Sequence, residues 1–454
     1  MPIESINPTT GEVTHVFEEW SAAETGRALE EMHSAWPGWR DTSLAERARL
    51  MSRAAEVLRR RAGEYAENMA GEMGKPVAQG RAEAEKCALV CEYYAEHAAA
   101  FLADEPGQSD GSRAFTAFRP LGVILAVMPW NFPFWQVFRC AAPALMAGNA
   151  VALKHSSNVP RCALAIEDVF REAGFPENVF RTLLIGSGGV EKVIENSVIK
   201  AVALTGSGDA GRKVAASAGR MLKKTVLELG GSDPFIVLAD ADLEQAARVG
   251  VLARCLNSGQ SCIAAKRFIV EEAVYPRFLE LFAAEMAKMV VGDPLDEATR
   301  VGPLARRDLV DELHAQVTDA VARGAVAVLG GSPIESRGYF YPPTILTGVL
   351  PGMRAYHEEL FGPVAAVLAA RDADHAVALA NDTPFGLGAS VWTGDTVKGA
   401  AITARIEAGA VFVNGMVKSD PRLPFGGIKE SGYGRELSGF GIREFVNIQT
   451  VWIG

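Results

Sequence analysis

The stretch that decides the fold runs from Ala150 to Gly231: AVALKHSSNVPRCALAIEDVFREAGFPENVFRTLLIGSGGVEKVIENSVIKAVALTGSGDAGRKVAASAGRMLKKTVLELGG. Short apolar runs at Ala150–Leu153, Val179–Leu184, Lys200–Leu204 and Thr225–Leu229 read as strands. Between them, Pro160–Ala173, Val190–Asn196 and Ala210–Met221 carry the spacing of helices. Strands alternating with helices of this length predict a parallel sheet covered on both faces, so the fold class is α/β.

Outward from that stretch, Leu121–Met128 is apolar and valine-rich and fits a buried strand. The first hundred residues read as helical. Ser43–Met73 sets Leu44, Ala48, Met51, Ala55 and Leu58 along one side, and a second helix is predicted over Arg81–Leu102. Glu105–Ser112 reads as a polar turn. A second α/β series follows the deciding stretch. Helices are predicted at Leu243–Leu256, Tyr275–Val290, Asp308–Arg323, Ala373–Asn381 and Thr396–Glu407, and strands at Ala265–Val270, Ala325–Leu329 and Ala410–Asn414. The tail Phe440–Gly454 reads as strand and needs a partner, from this chain or another subunit.

The chain has 454 residues, room for two or three domains, and a formal net charge of −10, which argues against a general nucleic-acid role. Its start, MPIESINPTTGEV, lacks the basic and apolar regions of a secretory signal, and Leu121–Met128 is too short to span a bilayer. A cytoplasmic protein is the simplest expectation. The six cysteines include no CxxC pair, so no metal site is expected and the thiols should be reduced.

Four segments carry candidate chemistry. In Asn257-Ser-Gly-Gln-Ser-Cys262, Gly259 permits a tight turn between a helix and a strand; Cys262 is a nucleophile held between rigid elements or a buried thiol. In Leu227-Glu228-Leu-Gly-Gly231, a glutamate ending an apolar strand is a candidate base or an arginine partner. Asn131, in Pro129-Trp-Asn-Phe-Pro133, could donate to an oxyanion, cap the next helix, or do both. Thr205-Gly-Ser-Gly-Asp-Ala-Gly211 follows a strand and opens a helix, the context in which GxGxxG brings backbone amides to phosphate. The acid that usually binds ribose some twenty residues on would be Glu228, so that match is literal rather than mechanical.

Together with Leu153-Lys154, EELFGPV from Glu358 and PFGGIKESGYGRE from Pro424, these strings resemble the aldehyde dehydrogenase superfamily, in its motif order and over nearly the whole chain. The nearest likeness is to short bacterial succinate-semialdehyde dehydrogenases. The resemblance implies an aldehyde dehydrogenase-like fold: a parallel-sheet nucleotide-binding domain (1–101 and 121–228), an α/β catalytic domain (229–421) and β-arm oligomerisation segments (102–120 and 437–454) in a homodimer or homotetramer. It also implies NAD(P)-dependent oxidation of a small-molecule aldehyde, most simply succinic semialdehyde to succinate. Cys262 would form the thiohemiacetal and thioester, Asn131 and the Cys262 amide the oxyanion hole, and Glu228 would activate water. Trp130, Lys154, Gly206, Ser207, Glu359 and Phe361 would bind the cofactor.

Two departures bear on specificity. Where NAD-selective relatives often place a glutamate three residues after the lysine, this chain has Ser157, so the cofactor is NADP or NAD with a lean to NADP. Trp135 and Arg139 share a helix face, and with Ser419 they are candidates for a substrate carboxylate, although Leu256 stands where some relatives have a second arginine. Ala264, two residues after Cys262, predicts no local disulfide switch. The alternatives are another small aliphatic aldehyde, acyl transfer to coenzyme A, a cofactor-free cysteine amidase, and a non-catalytic structural relative.

Overall fold

The computed structural model describes residues 2–454. The deciding stretch folds as predicted, into the sheet ordered Gly432–Tyr433, Lys224–Glu228, Ile199–Thr205, Val123–Met128, Ala150–His155, Phe180–Thr182. All pairings are parallel except that of Gly432–Tyr433 with Lys224–Glu228. The chain winds outward from Val123–Met128 to Phe180–Thr182, then returns to lay Ile199–Thr205 on the other side. A crevice opens at such a reversal, beyond the carboxyl ends of the two central strands. Those ends are Met128 and Thr205, so the Pro129–Pro133 and Thr205–Gly211 segments face each other there.

A second sheet of seven strands is ordered Val326–Leu329, Thr344–Thr347, Val364–Ala370, Ala265–Glu271, Asp233–Val237, Gly388–Trp392, Ala410–Val413, parallel except at its first pair. The sequence reading missed four of these strands. Asp233–Val237 lies beside glycines and contains a proline, and Val364–Ala370 and Gly388–Trp392 are buried runs with no alternation to mark them. The chain crosses between sheets at Leu229–Ser232, so Glu228 ends the last parallel strand of the first sheet.

Three expectations need correction. The N-terminus is a hairpin, Ile3–Asn7 with Glu12–Phe17, not helix. The predicted 43–73 helix breaks at Arg61 into Leu44–Arg60 and Ala62–Met73, and the next helix starts earlier, at Val77. The tail is helical over Ser438–Glu444 before its strand, Val446–Ile453. That strand finds its partner within the chain, pairing along its length with Arg113–Pro120, whose other edge takes Glu105–Gly107, read from sequence as a turn. Val446–Ile453 is the longer of this sheet's two edge strands, with Ile448, Trp452 and Ile453 exposed. No helix of the described residues is long and apolar enough to cross a membrane, and no group of side chains among them could hold a metal ion.

Candidate active site

Cys262 ends a loop whose backbone is strained. Asn257, Ser258 and Gly259 follow one another at φ of 57°, 57° and 75°, a left-handed run that non-glycine residues adopt only when their surroundings over-determine it. Here contacts from several directions do so. Asn257 N donates to Gln79 Oε1 at 2.7 Å, Gly302 N to Ser258 Oγ at 2.9 Å, Ala305 N to Gln260 Oε1 at 2.9 Å and Arg254 Nη2 to Gly259 O at 2.6 Å. A Cβ on Gly259 would lie 2.3 Å from the Gly362 carbonyl carbon, so only glycine fits.

The Pro129–Pro133 segment locks onto this loop. Asn131 Nδ2 donates to Gln260 O at 3.1 Å, and Asn257 Nδ2 donates to Asn131 O at 2.6 Å. Behind it, Ser156 N donates to His155 Nδ1 at 2.9 Å, so the imidazole proton sits on Nε2 and donates to Pro133 O, also at 2.9 Å. Burial holds the His155 pKa down to about 4, so this strut stays neutral. The helix-cap role considered for Asn131 belongs to Glu83, whose Oε1 accepts from Phe134 N and Trp135 N at 2.9 Å each while its Oε2 pairs with Lys75.

Glu228 is buried, and neither carboxylate oxygen has a partner among the described residues. A lid made by the Pro424–Glu436 motif shuts it in. Leu229 N donates to Ser431 O at 3.0 Å and Ser431 Oγ to Gly230 O at 2.6 Å, while a Cβ on Gly426 would stand 2.8 Å from Glu228 Oε1. Burial raises the Glu228 carboxyl to about 8, so it is mostly protonated at neutral pH. Burial also raises the Cys262 thiol, to about 12, against the pull of Lys266 and Arg139. Lys266 Nζ donates to Cys262 O at 2.6 Å and pairs with Glu359 at 3.1 Å, a contact that the sequence reading did not find.

Two cavities meet at Cys262. One is a cleft of 400 Å³ lined by Trp130, Asn131, Lys154, Gly206, Ser207, Arg306, Glu359 and Phe361. Six of these are the predicted cofactor residues. Ser157 is exposed, one residue past Ser156 on the lining. Ser207 caps the Gly208–Arg220 helix, whose N-terminus opens on the cleft, and Lys154 is buried there with no ion pair among the described residues. A helix N-terminus and a lone buried ammonium suit a ligand with phosphates. Arg306, over the Trp130 ring at 5.6 Å, was not anticipated.

The other cavity, of 80 Å³, is lined by Lys86, Trp135, Arg139, Cys262, Lys418, Ser419 and Phe425 among others. It gathers the three predicted substrate residues, but Arg139 carries its charge elsewhere. Its guanidinium is buried, ion-paired with Glu436 and 4.5 Å from the Phe425 ring centroid. The alternative of a structural salt bridge describes it better than an unengaged anion receptor, because an acid distant in sequence already neutralises it. Lys86, which the sequence reading passed over, is the cation next to Trp135 and Ser419.

The family model for aldehyde dehydrogenases matches residues 1–451. The chain is 52% identical over 453 residues to a probable NADP(+) succinate-semialdehyde dehydrogenase of Synechocystis, covering all of both chains. It is equally identical over 456 residues, again with full coverage, to succinate-semialdehyde dehydrogenase [NADP(+)] 1 of Mycobacterium tuberculosis. The succinic semialdehyde dehydrogenase of Streptococcus pyogenes, solved in complex with NADP+, superposes with a TM-score of 0.97 at 39% identity over 99% of each chain.

Proposed function

This chain belongs to the aldehyde dehydrogenase family, and we propose that it oxidises succinic semialdehyde to succinate, with NADP preferred to NAD, through a thioester on Cys262. One observation carries the reading: a wide cleft fit for a phosphate-bearing cofactor and a small cavity bearing cations meet at a single thiol. The relatives named for this substrate and cofactor support it.

In this mechanism the Cys262 thiolate adds to the aldehyde carbon, and the new oxyanion is held by Asn131 Nδ2 and the Cys262 amide. Trp130, Lys154, Gly206, Ser207, Glu359 and Phe361 would hold the cofactor, with Ser157 beside the lining residue Ser156, and the bound cofactor would supply the hydride acceptor. Once the carbonyl re-forms as a thioester, ionised Glu228 takes a proton from water. The resulting hydroxide attacks the acyl carbon, the tetrahedral intermediate collapses by expelling the Cys262 thiolate, and the acid is released and ionises to succinate. Trp135, Arg139 and Ser419 shape the cavity around the substrate. A serine at 157 neither repels a 2′-phosphate nor chelates the ribose hydroxyls, which is the ground for NADP. The chain would act in the cytoplasm, where its thiols stay reduced. It would form a homodimer or homotetramer using the open Val446–Ile453 edge.

The test is reduced-nicotinamide formation from succinic semialdehyde, run with NADP and NAD side by side. A high kcat/KM with NADP is the expected result, and Ser157→Glu should shift the cofactor ratio toward NAD by roughly tenfold through like-charge repulsion. Negligible turnover with either cofactor, alongside good turnover of another aldehyde, would remove the substrate assignment.

A further inference from the structure

In the small cavity beside Cys262, one part-buried cation has no counter-ion. Lys86 projects from the Val77–Phe101 helix. Its Nζ donates to Ser419 Oγ at 2.8 Å and stands 4.1 Å from the centroid of the Trp135 ring. Trp135 Nε1 donates to the same Ser419 oxygen at 3.1 Å. Lys86 forms no ion pair among the described residues, whereas Arg139 is held by Glu436 and Lys418 is exposed. The nearby acids are engaged too: Glu83 is paired with Lys75 and Asp420 with Arg422 at 2.5 Å.

This arrangement fits a carboxylate. Ser419 Oγ already accepts from Lys86 and from Trp135, so its own hydroxyl hydrogen is left to donate. One carboxylate oxygen can take the ammonium and the other the serine hydroxyl, which together give a charge-assisted pair. An ammonium taken partly out of water without a counter-ion is destabilised, and an incoming anion relieves that cost. Burial, with repulsion from Arg139, has already lowered the Lys86 pKa to about 8.

We propose that Lys86, with Ser419 as second donor, is the residue that selects aldehydes bearing a distal carboxylate, and that Arg139 supports the cavity instead of receiving the anion. The proposal rests on the reading of the substrate as succinic semialdehyde, and two measurements separate the two. The first is the ratio of kcat/KM for succinic semialdehyde to that for butyraldehyde, which differs by the carboxylate. Lys86→Met should lower it roughly thirtyfold, the size of a lost hydrogen bond to a charged group, and Lys86→Arg should restore most of it. In the wild type the ratio should also fall above about pH 8, since Glu228 acts on both substrates and cancels. The groups that face Lys86 through this range are Arg139, Glu83, Cys87 and Asp420.

The second measurement is inhibition of butyraldehyde oxidation by succinate, which needs no carboxylated substrate to turn over. Lys86→Met should raise the succinate Ki by a similar factor. If wild type ignores succinic semialdehyde but its succinate Ki depends on Lys86, the substrate reading fails and the anion site stands. An unchanged ratio and an unchanged Ki in Lys86→Met would overturn the assignment of Lys86.

Discussion

Glu83 and Glu228 are both buried glutamates, and the fold treats them in opposite ways. Glu83 has an ammonium on one oxygen and the amides of Phe134 and Trp135, at the start of the Trp135–Met146 helix, on the other. Glu228 has no partner on either oxygen among the described residues. Arg139 is the strongest source of positive field for Glu228, ahead of Arg435, but Glu436 already neutralises it. A buried carboxylate with matched partners holds structure, while one denied them keeps its proton near neutrality and is available for chemistry.

The largest effect should come from Glu228→Gln. Steady-state turnover should fall about 10³-fold, in the range of a lost general base. A burst of about one reduced nicotinamide per active site should survive, because thioester formation does not use this carboxylate. Loss of the burst together with turnover would mean that Glu228 acts before the thioester, and the comparison would break at its functional end.

Glu83→Gln should do the reverse. It leaves Lys75 buried beside a neutral amide, which by analogy with other broken buried pairs costs about 3–5 kcal/mol of stability. Chemical denaturation should show that loss while the burst remains. Arg139→Ala makes a third point on the same scale, because it strands Glu436. A stability loss of about 3 kcal/mol is expected, with little change in the preference for succinic semialdehyde over butyraldehyde. A collapse of that preference on a stable Arg139→Ala protein would return the anion-binding role to Arg139.

These contrasts also mark what the sequence made legible. Cys262, Glu228, Asn131 and the Gly206–Ser207 loop lie at strand ends and on short connections, where local pattern was enough to single them out, although their roles, and any notice of Lys154, Glu359 and Phe361, needed the resemblance. Arg139 shows the limit. Helical spacing put it on one face with Trp135, correctly, but could not say that Glu436 would meet it there. Lys86 was missed for a related reason. It flanks the buried stripe Glu83, Cys87, Val90 and Tyr94 of its helix, where a lysine ordinarily reads as a solvated edge. Only packing against the Trp135–Met146 helix turns that edge into a cavity wall. Three buried strands of the second sheet escaped because a short apolar run has no periodicity to tell a covered strand from a buried piece of helix or loop.

The smallest effect, a pH limb, tests the comparison most closely. If Glu228 must be ionised to activate water, and burial has raised it to about 8, hydrolysis should accelerate as pH rises through that value and fall about tenfold per unit well below it. Butyraldehyde is the right substrate, since it carries no charge for Lys86 to feel. The Arg139 charge holds the Glu228 pKa down and the Glu436 charge pushes it up. Arg139→Ala should therefore move the limb to higher pH, and Glu436→Gln, which also releases Arg139 from its partner, should move it lower. Opposite displacements from two halves of one ion pair are hard to obtain from a general loss of stability, which would depress the rate without moving the limb in both directions. A limb that stays put in both variants would show that the titrating group is not Glu228, whatever the Gln variant does to the rate.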